Sequence, residues 1–188
     1  MQTFVIDEKY PHLGGNIFEG DECTFCPEVW SALVADYKIK TVLDIGCGTG
    51  KSTQYFAGLG CQVIGVEGLP SNVTECKQPT ITHDISKSPL LINNIEMIWC
   101  CEVIEHIEQA AQNNLLQMLA NCKILVMTYA EPGQSGHHHV NCQTQEYWIA
   151  ELAKYNMHYN TQLTEKYRAL GPKKNHFSWH GLIFIRKD

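Results

Sequence analysis

Residues 41–50 read Thr41-Val-Leu-Asp-Ile-Gly-Cys-Gly-Thr-Gly50, an apolar, β-branched run followed by glycine at every second position. The run predicts a buried strand, and the glycines predict a loop that a ligand can approach closely because no Cβ stands in the way. The next residues, 51–59, carry an apolar stripe of Tyr55, Phe56 and Leu59 that predicts a helix. A strand, a glycine loop and a helix N-terminus together can cradle a ligand.

The spacing of the glycines separates the ligand classes that use such a turn. The dinucleotide fingerprint Gly-x-Gly-x-x-Gly needs its third glycine one residue later than Gly50. The phosphate-binding loop fails as well, because Ile45 stands where its first glycine would be. A second predicted strand, 61–67, ends in Glu67, and an acid there can accept hydrogen bonds from both ribose hydroxyls of a nucleoside.

The pattern Asp-x-Gly-x-Gly-x-Gly followed by Glu67 resembles the class I S-adenosylmethionine-dependent methyltransferases, over residues 41–126. The resemblance implies S-adenosyl-L-methionine as cofactor. It also implies an α/β fold with a doubly wound, mostly parallel sheet and an antiparallel C-terminal strand. Leu69 would pack on the purine, and Asp84 would accept from the adenine amino group unless it is a surface turn acid. The implied cofactor-binding residues are Asp44, Gly46, Gly48, Gly50, Glu67, Leu69, Asp84, Ile85 and Glu102.

Composition limits the organisation and the partners of the chain. With 188 residues, of which 44% are hydrophobic, we expect one domain, an N-terminal segment 1–26 on a core of 27–188, and no separate substrate domain. The net charge of −6 gives no general attraction to a polyanion, so nucleic acid is an unfavoured partner unless a local basic patch exists. No long apolar run or leader is seen, which predicts no membrane association and a cytoplasmic location.

The elements of the chain alternate in a way that predicts a parallel sheet, with ligands at the carboxyl ends of its strands. Beyond the first two strands, hydrophobic patterning predicts strands at 80–85, 95–101 and 121–128. It predicts helices at 27–37, 71–77, 102–120, 144–155 and 161–170, with Thr144 as an N-cap. An apolar strand at 179–186 would be the antiparallel one.

The segment before the first helix has no periodicity and is rich in Gly, Asn and aromatic residues. It is either a flap that closes over the cofactor, using Gly14-Gly15-Asn16 for backbone contact, or a terminal arm packed on the domain. Cys23 and Cys26 form a Cys-x-x-Cys pair without a second pair at zinc spacing. We interpret them as free thiols rather than as a metal or redox site.

Two clusters of chemically active residues follow neighbouring strands. On a helix, Glu102, Glu105 and His106 stand at i, i+3 and i+4 and share one face. The run His137-His138-His139 follows the fifth strand and reaches the same rim. Glu102, Glu105, His106 and His139 could hold Mg²⁺ or Mn²⁺, which would bind a substrate hydroxyl and lower its pKa. Without a metal, His106 or His139 would be the general base; the predicted catalytic residues are Glu105, His106 and His139.

Narrower resemblances suggest an acceptor class. The Glu-x-x-Glu-His and His-x-His segments look like the small-RNA 3′-terminal 2′-O-methyltransferases. Glu-Val-x-Glu-His alone is shared with small-molecule O-methyltransferases, where the first acid helps to hold the methionine end of the cofactor. Segments that include Gly14-Gly-Asn16 and Glu146-Tyr-Trp-Ile149 resemble compact phage and large-virus methyltransferases of unassigned substrate, across nearly the whole chain.

These observations favour a methyltransferase that acts on a small-molecule or sugar hydroxyl, such as a glycan hydroxyl. The Asn-Pro-Pro-Tyr marker of amine methylation is absent, and a hydroxyl acceptor needs the base or metal that the Glu and His clusters supply. Two alternatives remain open. One is a metal-dependent RNA ribose 2′-O-methyltransferase, and the other is a non-catalytic cofactor-binding scaffold. Oligomeric state is not indicated by the sequence.

Overall fold

The computed structural model of the chain describes residues 4–187. Two short strands near the N-terminus pair antiparallel, and seven further strands form the central sheet. The strands are β1 (Phe4–Val5), β2 (Asn16–Ile17), β3 (Thr41–Ile45), β4 (Gln62–Glu67), β5 (Thr80–Thr82), β6 (Met97–Cys100), β7 (Ile124–Met127), β8 (Met157–Tyr159) and β9 (Leu182–Arg186).

The order of the strands across the central sheet is β5-β4-β3-β6-β7-β9-β8. The five strands from β5 to β7 are parallel, while β9 runs antiparallel to both β7 and β8. Within the central sheet, the chain enters at β3, continues outward through β4 to β5, and then returns to β6 on the other side of β3. The strand order therefore reverses beside β3. A crevice opens at the carboxyl ends of the strands at such a point. The predicted doubly wound, mostly parallel sheet with an antiparallel C-terminal strand is confirmed.

Seven helices of the described chain join these strands. Three begin at side-chain caps, in which Thr144, Asn160 and Asn175 each accept a hydrogen bond from a backbone N–H of the first turn. The predicted cap at Thr144 is therefore confirmed. The helices are α1 (Pro27–Tyr37), α2 (Lys51–Gly58), α3 (Pro70–Val73), α4 (Gln112–Leu119), α5 (Gln145–Ala153), α6 (Thr161–Leu170) and α7 (His176–His180).

Two hydrophobic clusters cover the sheet. One is aromatic: Trp30 of α1 lies edge-on to Trp99 of β6 with ring centroids 5.6 Å apart, and Phe177 of α7 packs on the same Trp99 at 5.6 Å. All three side chains are buried. The other cluster joins α4 and α5 to the sheet through residues such as Leu115 and Trp148, both fully buried. The core thus fixes the central strands, whose tips carry the candidate site.

The largest differences concern three predicted elements, while the strand expected at 80–85 is the shorter β5. The helix expected at 102–120 is absent until Gln112: Glu102 has a left-handed backbone with φ +56°, and only 3₁₀ turns occur at Ile104–His106 and Gln109–Ala111. The shared helical face of Glu102, Glu105 and His106 was therefore a wrong prediction. The strand expected at 179–186 begins at Leu182, since Trp179 and His180 belong to α7. The helix expected at 71–77 is the shorter α3.

Within residues 4–187, no helix is long and apolar enough to cross a membrane. All nine cysteines carry free thiols. Cys26 is buried in the aromatic cluster, and Cys23 is half-buried and accepts a hydrogen bond from the amide of His176 through its carbonyl.

Candidate active site

A cavity of about 520 Å³ lies at the carboxyl ends of β3, β4 and β6. Its floor is the loop after β3, and its roof is the N-terminal segment, residues 12–25. Of the sequence-predicted cofactor residues, those that line the cavity are Asp44, Gly46, Gly48, Glu67, Ile85 and Glu102. The N-terminal segment contributes, among others, Leu13, Gly14, Gly15, Asp21 and Phe25.

The glycine loop shapes the cavity through its missing side chains. Gly46 and Gly48 both have positive φ, +72° and +55°, and a Cβ on Gly48 would meet no atom within 4 Å. The loop amides, however, are largely engaged inside the protein. The N–H of Gly46 donates to Val66 O at 2.8 Å, and that of Gly48 donates to Glu67 Oε2 at 2.8 Å. The loop therefore offers a ligand open space more than free donors.

Glu67 ends β4 against the glycine loop, as the sequence predicts. Its Oε2 accepts from Gly48 N and its Oε1 from Leu69 N, each at 2.8 Å. Burial raises the pKa of Glu67, although hydrogen bonding from the amides of Leu69, Gly48 and Gly68 and from the side chain of Asn72 acts in the opposite direction. These two hydrogen bonds occupy two of the roughly four acceptor positions of the carboxylate, and the nearby Asn72 and Gly68 amide compete with a ligand for the others. The role of Glu67 toward the ribose of a nucleoside stays a prediction.

Asn72 is a cavity-lining residue that sequence reasoning missed. Its side chain is 2% exposed and lies near the Glu67 carboxylate, whose pKa it lowers, but its Nδ2 makes no well-aligned hydrogen bond with the described residues. A buried donor that is poorly aligned with its acceptor can also bond to an acceptor that a ligand or water supplies. The residues around the glycine loop therefore fit a polar, nucleoside-bearing cofactor. An isolated asparagine in a short helix carries no sequence signal for this role.

Asp44 lies at the tip of β3 and is 2% exposed. It accepts a hydrogen bond from the hydroxyl of Ser52 in the first turn of α2. Burial raises the pKa of Asp44 to about 7; the Ser52 bond lowers it and the nearby Glu67 raises it further. The carboxyl thus titrates close to neutral pH inside the cavity.

The other predicted cofactor residues lie outside the lining of the cavity. Asp84 accepts from His12 Nε2 at 2.8 Å, Lys87 Nζ at 3.0 Å and the Ser86 hydroxyl at 2.6 Å. Burial acts to raise the pKa of Asp84, but these hydrogen bonds outweigh it and hold the pKa well below its ordinary value. Its contact with adenine stays a prediction that its occupied oxygens do not favour. Leu69 and Gly50 are likewise not among the lining residues.

Glu102 follows β6 and is held by the neighbouring strand. Thr128, just after β7, accepts from the amide of Glu102 and donates its hydroxyl hydrogen to Glu102 Oε1, both at 2.8 Å. The second oxygen, Oε2, lies 3.2 Å from His176 Nδ1. Glu102 lines the cavity and so remains available to a cofactor, but it does not join the other three predicted metal ligands.

Those three residues do come together. One carboxylate oxygen of Glu105 and one ring nitrogen each of His106 and His139 lie within 4.8 Å of one another, a spacing that a divalent cation can bridge. Glu105 is fully buried, and neither side-chain oxygen has a hydrogen-bond partner in the described chain. Burial, and then the charge of Glu102, raise the pKa of Glu105 well above its usual range. Its backbone carbonyl accepts from Val140 and Asn141, which fastens the histidine loop to this point.

His106 is the member of this group that lines the cavity. Its Nδ1 lies 3.3 Å from the carbonyl oxygen of His138, and because a carbonyl only accepts, Nδ1 carries the hydrogen. The neutral ring then carries its lone pair on Nε2. Burial lowers the pKa of His106 to about 4, with a further contribution from His139, whose ring centroid is 5.1 Å away. The imidazole is therefore neutral at pH 7.

The N-terminal segment covers the cavity through close backbone contacts. A Cβ on Gly14 would lie 2.8 Å from the ring of His106, and one on Gly68 would lie 3.0 Å from Leu13. Thr49 of the glycine loop donates to the carbonyl of Phe18 at 3.2 Å. These contacts lie over the cavity, and both the flap and the packed arm stay predictions for this segment. Sequence reasoning pointed to Gly14-Gly15 but missed the other lining residues, which include Trp30, Trp99, Cys101, Val103 and Ile107.

Comparisons with known proteins agree with this geometry. A family model described as a methyltransferase domain matches residues 43–125, from β3 into β7. Among curated proteins, the mitochondrial ubiquinone biosynthesis O-methyltransferase of Schizosaccharomyces pombe is 31% identical over 81 residues. The match covers 37% of this chain and 30% of that protein, so the chain spans about a third of its relative's length.

Solved structures share the fold at low sequence identity. Magnesium protoporphyrin IX methyltransferase from Synechocystis PCC 6803, solved with bound S-adenosylmethionine, has a TM-score of 0.62 and 18% identity over 85% of this chain and 76% of that chain. A sugar N-methyltransferase from Streptoalloteichus sp. ATCC 53650 has a TM-score of 0.64 and 14% identity, covering 86% and 87%. Residues 43–125 thus match a methyltransferase domain, and the chain shares the Rossmann-like fold of these solved methyltransferases.

Proposed function

We propose that the chain transfers a methyl group from S-adenosylmethionine to a hydroxyl of a small molecule or sugar. The observation that carries the proposal is the position of His106, whose neutral imidazole lines the cofactor cavity beside Glu105 and His139. A hydroxyl is a weak nucleophile until its proton is removed, and a neutral imidazole at hydrogen-bond distance can accept that proton. Because the pKa of His106 is lowered to about 4, it is a weaker base than an exposed histidine and would act in concert with methyl transfer. Amine acceptors need no comparable base once they are neutral.

The methyl transfer is a direct displacement and needs no covalent intermediate with the protein. The acceptor oxygen forms a bond to the methyl carbon as the carbon–sulfur bond breaks, and the electron pair of that bond leaves with sulfur, which becomes a thioether. The hydroxyl proton passes to His106 Nε2. Because sulfonium is a good leaving group, the protein contributes mainly alignment and proton removal. Glu67 would hold the cofactor ribose, and Glu102 would accept from the amino group at its methionine end.

A metal-assisted form of the same reaction has support in the same residues. Glu105, His106 and His139 supply mixed oxygen and nitrogen ligands of the kind that Mn²⁺ and Mg²⁺ accept in proteins. The two unpartnered oxygens of the buried Glu105 fit such a role, because burial of an uncompensated carboxyl is costly. A bound cation would lower the pKa of the acceptor hydroxyl.

Two similar proteins and the charge of the cavity lining support a neutral hydroxyl acceptor. One similar structure is a sugar N-methyltransferase and the curated relative is an O-methyltransferase. Carboxylates at Asp21, Glu22 and Glu102 line the cavity, with Lys51 as a cation on its wall. This lining disfavours a phosphate-rich acceptor and therefore RNA, and it favours a neutral hydroxyl compound. The resemblance to phage and large-virus methyltransferases suggests a glycan hydroxyl in a cytoplasmic setting.

Calorimetry with S-adenosylhomocysteine followed by a methyl-transfer assay tests the proposal. We expect binding at micromolar concentration, and transfer of labelled methyl to a hydroxyl in a panel of neutral sugars, phenols and short RNAs, each with and without Mn²⁺. His106→Gln should lower kcat by about 10²–10⁴-fold and leave the affinity for S-adenosylhomocysteine within a factor of about two. Absence of binding in the wild-type chain rejects the proposed cofactor, and RNA as the sole acceptor rejects the proposed substrate class.

A further inference from the structure

We propose that His176 is a positioning residue that holds the carboxylate of Glu102 at the cavity wall and ties the N-terminal segment to it through Asp21. The inference rests on the proposed function, in which Glu102 contacts the methionine end of S-adenosylmethionine. It assigns a role to α7, which lies outside the residues matched by the methyltransferase family model. The set of contacts is called the Asp21–His176–Glu102 bridge below.

The bridge is formed by the two nitrogens of one imidazole. His176 Nδ1 lies 3.2 Å from Glu102 Oε2, and Nε2 lies 3.8 Å from Asp21 Oδ2. Nδ1 is buried and makes no well-aligned hydrogen bond with the described residues, so its approach to Glu102 is a close polar contact. Both acids line the cofactor cavity, whereas His176 is not among the lining residues. A group in this position acts on a ligand only through the acids that it orients.

The histidine itself is fixed by backbone contacts at the start of α7. Its amide donates to Cys23 O at 2.8 Å. The neighbouring Asn175, fully buried, donates from Nδ2 to Phe25 O at 3.2 Å and accepts from Phe177 N at 2.9 Å as the helix cap. The first turn of α7 is thus attached to residues 21–25, which form part of the cavity roof. His176 is a side chain with a defined place, only 20% exposed.

Glu102 needs such support because its backbone is unfavourable. A φ of +56° is uncommon for a residue with a Cβ, and such conformations persist where surrounding contacts over-determine them. Thr128 fixes the amide and one carboxylate oxygen of Glu102, and His176 approaches the other oxygen. Because both of its oxygens have a neighbour, the Glu102 carboxylate has a fixed orientation toward the cavity. Loss of His176 would leave the Glu102 carboxylate held by Thr128 alone, so that it could rotate. It would also remove the contact of Asp21 in the cavity roof.

A double-mutant cycle tests whether His176 acts through Glu102. Affinity for S-adenosylhomocysteine is measured by calorimetry for the wild type, His176→Ala, Glu102→Gln and the double variant. We expect each single substitution to weaken binding at least fivefold, and the double variant to bind no more weakly than Glu102→Gln alone. His176→Gln, which retains an N–H group, should recover part of the loss. The matched control is His158→Ala on β8, at the far edge of the sheet, with unchanged affinity.

The outcomes separate this inference from the proposed function. If the wild-type chain does not bind S-adenosylhomocysteine, the proposed function fails first. If the wild type binds and His176→Ala binds equally well, or if the two substitutions are additive, the positioning role is overturned while the proposed function stands. Should His176→Ala fail to fold, the same cycle with His176→Gln decides, and additivity there again overturns the role.

Discussion

Glu67 Oε2 accepts a hydrogen bond from the amide of Gly48 at 2.8 Å, so the acid at the end of β4 and the glycine loop after β3 form one unit. The same carboxylate accepts from Leu69 N at 2.8 Å, which fixes the turn that leaves β4. The residue assigned to the cofactor ribose therefore also holds the walls of the cavity. Substitutions in this unit affect cofactor affinity and local structure together.

Glu67→Gln should weaken binding of S-adenosylhomocysteine by about 10- to 100-fold. An amide keeps one oxygen acceptor but turns an NH₂ group toward a backbone N–H, and hydrogen bonds to a charged acceptor contribute about 1.5–3 kcal/mol. Calorimetry on the purified variant measures the change. Glu75→Gln, at an exposed glutamate just after α3, is the control and should bind normally. Equal affinity of both variants would contradict the assigned role of Glu67.

Glu105→Gln should abolish Mn²⁺ binding without unfolding the chain. Burial already favours the neutral form of this carboxyl, so a neutral amide of the same shape is tolerated, whereas a metal requires the carboxylate. Electron paramagnetic resonance titration with Mn²⁺ and circular dichroism measure the two effects. The control is Glu108→Gln, at an exposed position in the following turn. Undiminished Mn²⁺ binding by Glu105→Gln would show that the metal, if any, binds elsewhere.

Asp44→Asn should remove a pH dependence of stability. The folded chain holds the Asp44 proton with a pKa of about 7, and the unfolded chain with a pKa of about 3.9. The folded state therefore binds more protons between these values, and the free energy of unfolding falls as pH rises through this window, then levels off. Between pH 5 and 8 the expected fall is roughly 2 to 3 kcal/mol, at 1.36 kcal/mol per pKa unit.

Urea unfolding of the ligand-free chain at pH 5 and pH 8 measures this slope. Asp36→Asn provides the comparison, because hydrogen bonds from Lys166 and Tyr167 lower the pKa of Asp36 and its effect is confined to acid pH. The wild type and Asp36→Asn should lose similar stability between the two pH values, and Asp44→Asn should lose less. A slope unaltered by Asp44→Asn would mean that the buried carboxyl does not titrate in this range.

Gly14→Ala should displace the imidazole of His106 from its position in the cavity wall. The added methyl would lie 2.8 Å from Cγ of the ring, closer than real Cβ atoms approach, so either the N-terminal segment or the imidazole must move. We expect a loss of about 1–3 kcal/mol in stability and a fall in the methyl-transfer rate. Gly58→Ala, where a Cβ meets no atom within 4 Å, should be neutral or stabilising. Wild-type stability and rate in Gly14→Ala would contradict the packing described.

Local sequence patterns were sufficient for the central elements. Apolar runs that end at polar or glycine residues located β3, β4, β6 and β7, and α1 and α6 have the predicted bounds. Patterns failed where tertiary contacts set the backbone: the amide and carboxylate of Glu102 bind Thr128, 26 residues further on, and this replaces the expected helical start. The three-residue β8 is too short for a periodic signal.

The candidate site was predictable in part. Glu105, His106 and His139 meet because β6 and β7 are neighbours, a consequence of the α/β topology that sequence alone indicated. Other contacts depend on residues distant in sequence and were not predictable: His12 binds Asp84, and His176 approaches both Asp21 and Glu102. The hydrophobic pattern of a short segment does not indicate which loop contacts the end of which strand.

The place of β9 also affects how the chain can be assembled. This strand lies between β7 and β8, and the Tyr159–Phe184 and Met127–Leu182 pairings are its contacts on either side. Since β8 pairs with the sheet only through β9, deletion of residues 182–186 would remove both strands from the sheet. It would leave β7 as an edge strand. Formation of this edge must therefore await contacts between residues far apart in the chain, which is a slow class of folding event.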